Sequence, residues 1–76
     1  MKLHLGGNLP FFGPKRQKVL KVHLQEPTRL SEVLLRLGIP VSEVYLTVLN
    51  GEHVILDETL VSDSDEVRLY PPMDGG

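Results

Sequence analysis

Residues 28–40 read Thr28-Arg29-Leu30-Ser31-Glu32-Val33-Leu34-Leu35-Arg36-Leu37-Gly38-Ile39-Pro40, and their apolar residues recur with a helical period. Leu30, Val33, Leu34 and Leu37 stand at i, i+3, i+4 and i+7, one face of a helix. Thr28 is placed to cap its start, Gly38 to supply the left-handed stop, and Pro40 to forbid continuation. Arg29, Ser31, Glu32 and Arg36 form the polar face. Two to three turns cannot stand alone in water, so the helix must lie against a sheet.

The sheet is legible on both sides of it. Leu3 and Leu5 alternate with Lys2 and His4 as a half-buried strand does, until Gly6-Gly7-Asn8 breaks the pattern. From Leu9 to Gln17, Pro10, Gly13 and Pro14 surround Phe11-Phe12, which predicts a loop with an apolar tip. One of the two rings is expected to close the core and the other to be exposed. Val19 to Leu24 alternates again, with Leu20, Val22 and Leu24 on one side, and completes a first antiparallel hairpin. After the helix, Val44 to Leu49 predicts a third strand and Asn50-Gly51 a tight hairpin turn into a fourth, His53 to Leu56. The chain then returns through Leu60 and Val61 and the polar turn Ser62-Asp63-Ser64-Asp65. In the last strand Val67 and Leu69 alternate with Glu66, Arg68 and Tyr70, and Pro71-Pro72 ends it by withdrawing two donors.

The order is ββαβββ, an α+β arrangement without internal repeat. The compact solution is a mixed sheet of about five strands crossed by one helix, the β-grasp or ubiquitin-like fold, over residues 1–70. Residues 71–76 are then expected to be a flexible tail.

Composition narrows the function. With 76 residues the chain holds one domain and buries only about 60% of its unfolded surface. It is 41% hydrophobic and 24% charged with a formal charge of −2, the profile of a soluble globular protein. Of the Lys and Arg residues, only Lys15-Arg16 and Lys18 stand close together, so no stripe for nucleic acid is expected. Neither a signal-like nor a membrane-spanning apolar run is present, and no membrane role is expected. The absence of cysteine removes disulfides and thiol nucleophiles and suits the cytoplasm. His4, His23 and His53 lack ligand spacing and are read as surface histidines, so no metal is expected. No Ser/His/Asp set or phosphate-cradling loop appears, so the chain is read as a non-enzyme with no catalytic side chain.

The segments Leu37-Gly38-Ile39-Pro40, Val48-Leu49-Asn50-Gly51, Asp65 to Pro72 and the final Gly75-Gly76 together resemble the ubiquitin-like sulfur carrier family. That family includes the small subunit of molybdopterin synthase and the thiamine-biosynthesis carrier. The resemblance implies that the carboxylate of Gly76 is adenylated by an enzyme related to ubiquitin-activating enzymes, which uses ATP. It then becomes a thiocarboxylate that delivers sulfur to a large synthase subunit or another acceptor enzyme. The carrier itself binds no cofactor. Pro72, Met73, Asp74 and Gly75 would thread the partner's active site; six residues beyond Tyr70, at about 3.3 Å each, reach roughly 20 Å. Glycine at the end suits a narrow site because it has no Cβ.

The long first loop and Pro71-Pro72 point toward the molybdopterin branch, with tungsten cofactor, another sulfur-containing metabolite or tRNA thiolation as other destinations. Tyr45, Leu49, Tyr70 and Met73 are candidates for an apolar partner surface on the open sheet face, with Tyr70 and Pro71 adjoining the tail. The competing expectation is that Leu49 or Tyr45 is core, since both faces of Val44 to Leu49 are apolar. Asp57, Glu58, Asp63, Asp65 and Glu66 are read as turn residues before a docking stretch. Competing readings are a protein modifier joined to targets through Gly76 and a non-catalytic β-grasp interaction module.

Overall fold

A computed structural model describes residues 1–72 of the chain. Its strands are β1 (Lys2–Leu5), β2 (Val19–Lys21), β3 (Thr28–Arg29), β4 (Leu46–Leu49), β5 (Glu52–Val54), β6 (Leu60–Val61) and β7 (Glu66–Tyr70), with one helix, α1 (Leu30–Leu37). The main sheet runs β2-β1-β7-β4-β5, and β3 pairs with β6 in a separate two-stranded ribbon. β1 and β7 are parallel, while every other pair is antiparallel. The mixed sheet crossed by one helix is the β-grasp arrangement expected from the order of elements.

Alternation decides the inward face. Leu3 and Leu5 of β1, Leu20 of β2 and Val67 and Leu69 of β7 are buried, and they meet Leu30, Val33 and Leu34 of α1 in a single apolar cluster. Leu37 packs against this cluster at its edge, and Leu35, on the helix's outer side, is exposed. Leu24, Ile39, Leu56 and Val61 close the ends. Burying the helix's apolar stripe supplies what its intrinsic propensity cannot at this length.

Gly38, at φ 80°, stops the helix as the sequence predicts: its N–H bonds Leu35 O at 3.2 Å, and Ile39 N–H bonds Leu34 O at 2.9 Å. The start differs from expectation. Arg29, not Thr28, is the capping position, and no side chain caps it. Thr28 belongs to β3, its hydroxyl donates to Glu26 O at 2.9 Å, and Leu30 N–H finds Thr59 O at 3.0 Å. The β3–β6 ribbon therefore does the capping with backbone, satisfying a donor that the first turn leaves free.

Two other boundaries move for similar reasons. β2 ends at Lys21, with Val22 still exchanging hydrogen bonds with Met1 in the same register, and pairing is lost by Leu24, whose N–H turns to Asp63 Oδ1. β5 stops at Val54 because Leu56–Glu58 is a 3-10 turn. The Asn50-Gly51 turn forms as predicted, with φ of 49° and 86°. It is also tied across the sheet: Asn50 N–H donates to Glu66 O, Asn50 Oδ1 accepts from Glu66 N–H, both at 2.8 Å, and Asn50 Nδ2 donates to Asp65 Oδ1 at 3.0 Å.

Candidate functional site

The last strand is held on both sides up to its final residue. Leu69 O accepts from Gly6 N–H and Tyr70 O accepts from Tyr45 N–H, each at 2.8 Å. Pro71 and Pro72 follow, and with no N–H they cannot prolong the ladder. Pro71 is half-buried and its ring lies over Gly7. A Cβ on Gly7 would come within 2.5 Å of Pro71 Cγ, and one on Gly6 within 2.9 Å of Tyr70 Cδ1. Gly7 also has φ 51°, a left-handed conformation natural to glycine. The glycine pair that breaks β1 therefore seats the chain just past the end of β7. Pro72 is exposed at the end of this seat. Met73, Asp74, Gly75 and Gly76, expected to form the rest of the tail and the sulfur attachment point, lie outside the described residues.

Register places the remaining candidates. Tyr70 stands opposite Leu46, and Arg68 opposite both Val48 and His4, all on the face away from α1. Thr47 and Leu49 pair with Leu69 and Val67 on the helix side. Leu49, expected among the residues of an open partner surface, instead packs against the core. Two neighbours that alternate with it, Leu46 and Val48, are half-buried on the open face beside Tyr70. The parity of β7 was legible, since Glu66, Arg68 and Tyr70 cannot all face the core, but only the register of Tyr70 with Leu46 and Val67 with Leu49 carries it over to β4. Tyr45 precedes β4 and is exposed, joined to Tyr70 through its backbone. Tyr45, Tyr70 and Pro71 are thus brought to one end of the sheet, and Leu49 is not.

Charge on the open face is locally paired. His4 Nε2 donates to Glu66 Oε2 at 2.8 Å, and Arg68 Nη2 lies 3.9 Å from the same oxygen. The His4 hydrogen bond, followed by the charges of Arg68, His4 and Lys2, holds the Glu66 carboxyl below its ordinary value against the opposing effect of desolvation. Asp63 is lowered chiefly by the Leu24 N–H, with the N-terminal ammonium and His23 adding to it. Asp65 accepts from Ser62 N–H at 2.7 Å. Asp63, Asp65 and Glu66 therefore serve the fold's own turns and pairs. Among the described residues, no three His, Asp or Glu side chains are grouped to hold a metal, and no helix is long and apolar enough to cross a membrane.

The loop after Gly7 is ordered by two 3-10 turns, Leu9–Phe11 and Pro14–Arg16. Leu9 and Pro10 take the core seats, so both phenylalanines are exposed, Phe11 at 68% and Phe12 at 36%. Only one had been expected outside. Lys15 and Arg16 both adopt positive φ, 56° and 52°, which costs about 1–2 kcal/mol each in a residue with a Cβ. The turn they make carries the Arg16 guanidinium over the Phe11 ring, 5.0 Å from its centroid.

Comparison with known proteins bears on the same region. The family model of the ThiS family matches residues 9–76, from this loop through the C-terminal strand to the final glycines. No curated protein matches the sequence.

Proposed function

The chain belongs to the ThiS family of small, non-catalytic sulfur carriers, and from that premise we propose that Gly76 is its working group. Carriers of this family serve cofactor biosynthesis alongside adenylating enzymes and sulfur-acceptor enzymes. In the proposed cycle the Gly76 carboxylate attacks the α-phosphate of ATP bound by the adenylating partner, giving an acyl-adenylate and pyrophosphate. Hydrosulfide from the sulfur donor then displaces AMP at the acyl carbon and leaves a thiocarboxylate, which an acceptor enzyme consumes.

The observation that carries this reading is the seat of Pro71 on Gly7, at the end of a strand hydrogen-bonded on both sides. A central strand fixes the position of Pro71 and Pro72, and in this reading the tail is presented from there. Tyr70, Pro71 and Tyr45, joined on the open face by Leu46 and Val48, form the proposed partner surface. Pro72, Met73, Asp74 and Gly75 form the segment that threads the partner's site. The molybdopterin branch is the proposed destination, supported by the long Gly6–Gln17 loop and Pro71-Pro72. The lack of cysteine supports a cytoplasmic setting.

Intact mass after incubation with the organism's adenylating enzyme, ATP and a sulfur donor tests the chemistry. The expected product gains the difference between one sulfur and one oxygen, and deleting Gly75 and Gly76 abolishes that gain. A chain that stays unmodified while its partner binding survives this deletion refutes the reading. Complementation of strains lacking either the molybdopterin or the thiamine carrier separates the two branches.

A further inference from the structure

Five of the eight Lys and Arg residues fall within the first 25 positions, which contain no Asp or Glu, and all ten acids follow from Glu26 onward. The fold turns this sequence asymmetry into a local surface. The loop from Leu9 to Lys18 holds Lys15, Arg16 and Lys18, all exposed. It is anchored by buried Leu9 and Pro10 and by Gly13, whose position faces Leu5, Leu20 and Ile39 side chains. What the anchored loop displays is an aromatic ring under a guanidinium, in a turn made by two consecutive left-handed residues. Strain of this kind persists only where the surroundings impose it, and among the described residues no carboxylate pairs with Arg16.

Position gives the pair a purpose. A surface hollow of about 390 Å³ is lined by Gly7, Asn8, Pro10, Phe11, Arg16 and Lys18. Gly7 also lies beneath Pro71, at the root of the tail. One end of the hollow therefore adjoins Pro71, just past the end of β7, and the other is cationic. Any protein that takes the tail passes beside it. A carboxylate is inert toward sulfur exchange until activated, so the unmodified chain is first recognised by the adenylating enzyme.

We propose that the hollow between Gly7 and Lys18 docks an acidic, apolar-flanked segment of the adenylating enzyme, lying beside the opening that takes the tail. Phe11 and Pro10 provide apolar contact, while Arg16 and Lys18 meet carboxylates. This inference rests on the carrier reading above. Rim charges of this type act mainly on encounter and on salt dependence, and leave the chemical step alone. Arg16 stacked on Phe11 adds a planar donor set suited to a carboxylate.

The test is ATP–pyrophosphate exchange by the organism's adenylating enzyme, with the full-length chain as the varied substrate. Arg16→Glu and Lys18→Glu are expected to raise KM by about tenfold while kcat stays within about twofold, and to flatten the rise of KM with salt. Arg36→Glu makes the same charge change on the outer side of α1 and is expected to leave KM unchanged. Because Lys18 is exposed and unstacked, Lys18→Glu should keep the wild-type melting temperature, and Arg16→Glu, which loses only the exposed contact with the Phe11 ring, should lower it by a few degrees and stay folded at assay temperature; Phe11→Ser is expected to raise KM as well.

Wild-type exchange with equal KM for Arg16→Glu, Lys18→Glu and Arg36→Glu overturns the docking proposal and leaves the carrier reading standing. No exchange with the wild-type chain overturns both. A wild-type dimer in light scattering at assay concentration that Arg16→Glu dissolves assigns the hollow to a second copy and overturns the proposal as well.

Discussion

Replacing Gly7 by alanine tests whether the root of the tail is truly seated. Two costs are expected. The first is conformational, because φ at Gly7 is 51° and a residue with a Cβ pays about 1–2 kcal/mol there. The second is steric: the new methyl would lie 2.5 Å from Pro71 Cγ and 3.1 Å from Cδ, and a proline ring cannot rotate away as a flexible side chain would. Overpacking of this kind adds about 1–3 kcal/mol. Gly51 provides the internal reference, since its φ is 86° and nothing lies within 4 Å of the position of its missing Cβ. Gly51→Ala should show only the first cost and Gly7→Ala both. At about 4–8 °C per kcal/mol for a domain of this size, thermal denaturation resolves the difference.

Adding Pro71→Ala completes a double-mutant cycle. Removing most of the ring should recover part of the Gly7→Ala loss, with a coupling of about 1–3 kcal/mol. The root is not seated if Gly7→Ala costs no more than Gly51→Ala and the Gly7 and Pro71 changes add within about 0.5 kcal/mol. Intact mass on the same proteins connects the packing to the chemistry. A displaced Pro71 should slow thiocarboxylate formation even at temperatures where Gly7→Ala remains folded.

Leu34 is fully buried between α1 and the sheet, so Leu34→Ala should cost about 2–5 kcal/mol, read as a lower urea midpoint at unchanged slope. Against a total of roughly 4–11 kcal/mol for 76 residues, that loss can unfold the chain; a change below about 1 kcal/mol would contradict the packing described. Asp63 and Glu66 titrate below their ordinary values of 3.8 and 4.5 in the folded chain, so the unfolded chain takes up protons first as acid is added. Their contribution should be complete above about pH 5 and be lost as pH falls below 4.5 and through the depressed folded values. Asp63→Asn with Glu66→Gln should flatten this acid limb in a melting-temperature series, and an unaltered limb would show that other groups govern it.

The parts of this fold that periodicity encodes could be read directly. Leu3 and Leu5, Val67 and Leu69, and the Leu30-Val33-Leu34 stripe each state which way they face, and Gly38 and Asn50-Gly51 state where the chain turns. The β3–β6 ribbon escaped because two residues per strand are too few to show alternation. Thr28 misled because its local capping preference gave way to a backbone partner at Thr59, thirty-one positions later. Leu49 was ambiguous because every residue from Val44 to Leu49 except Thr47 is apolar or aromatic, so the strand itself names no inward face. The seat of the tail was equally hidden: Gly6-Gly7 reads as a strand break, and only the pairing of β1 with β7 brings Pro71 over it.

That pairing has a consequence for how the chain is made. β7 is the last strand in sequence and the middle strand in space, with β1 on one side and β4 on the other. A nascent chain emerging from the ribosome therefore cannot close its sheet piece by piece. The first hairpin, the helix and the β4–β5 hairpin must wait, with their apolar faces unsatisfied, until residues 66–70 arrive. Folding is thus made to depend on contacts of long sequence separation, which slows it. A chain lacking residues 66–70 therefore lacks the strand that joins its two hairpins, and is expected not to close this sheet.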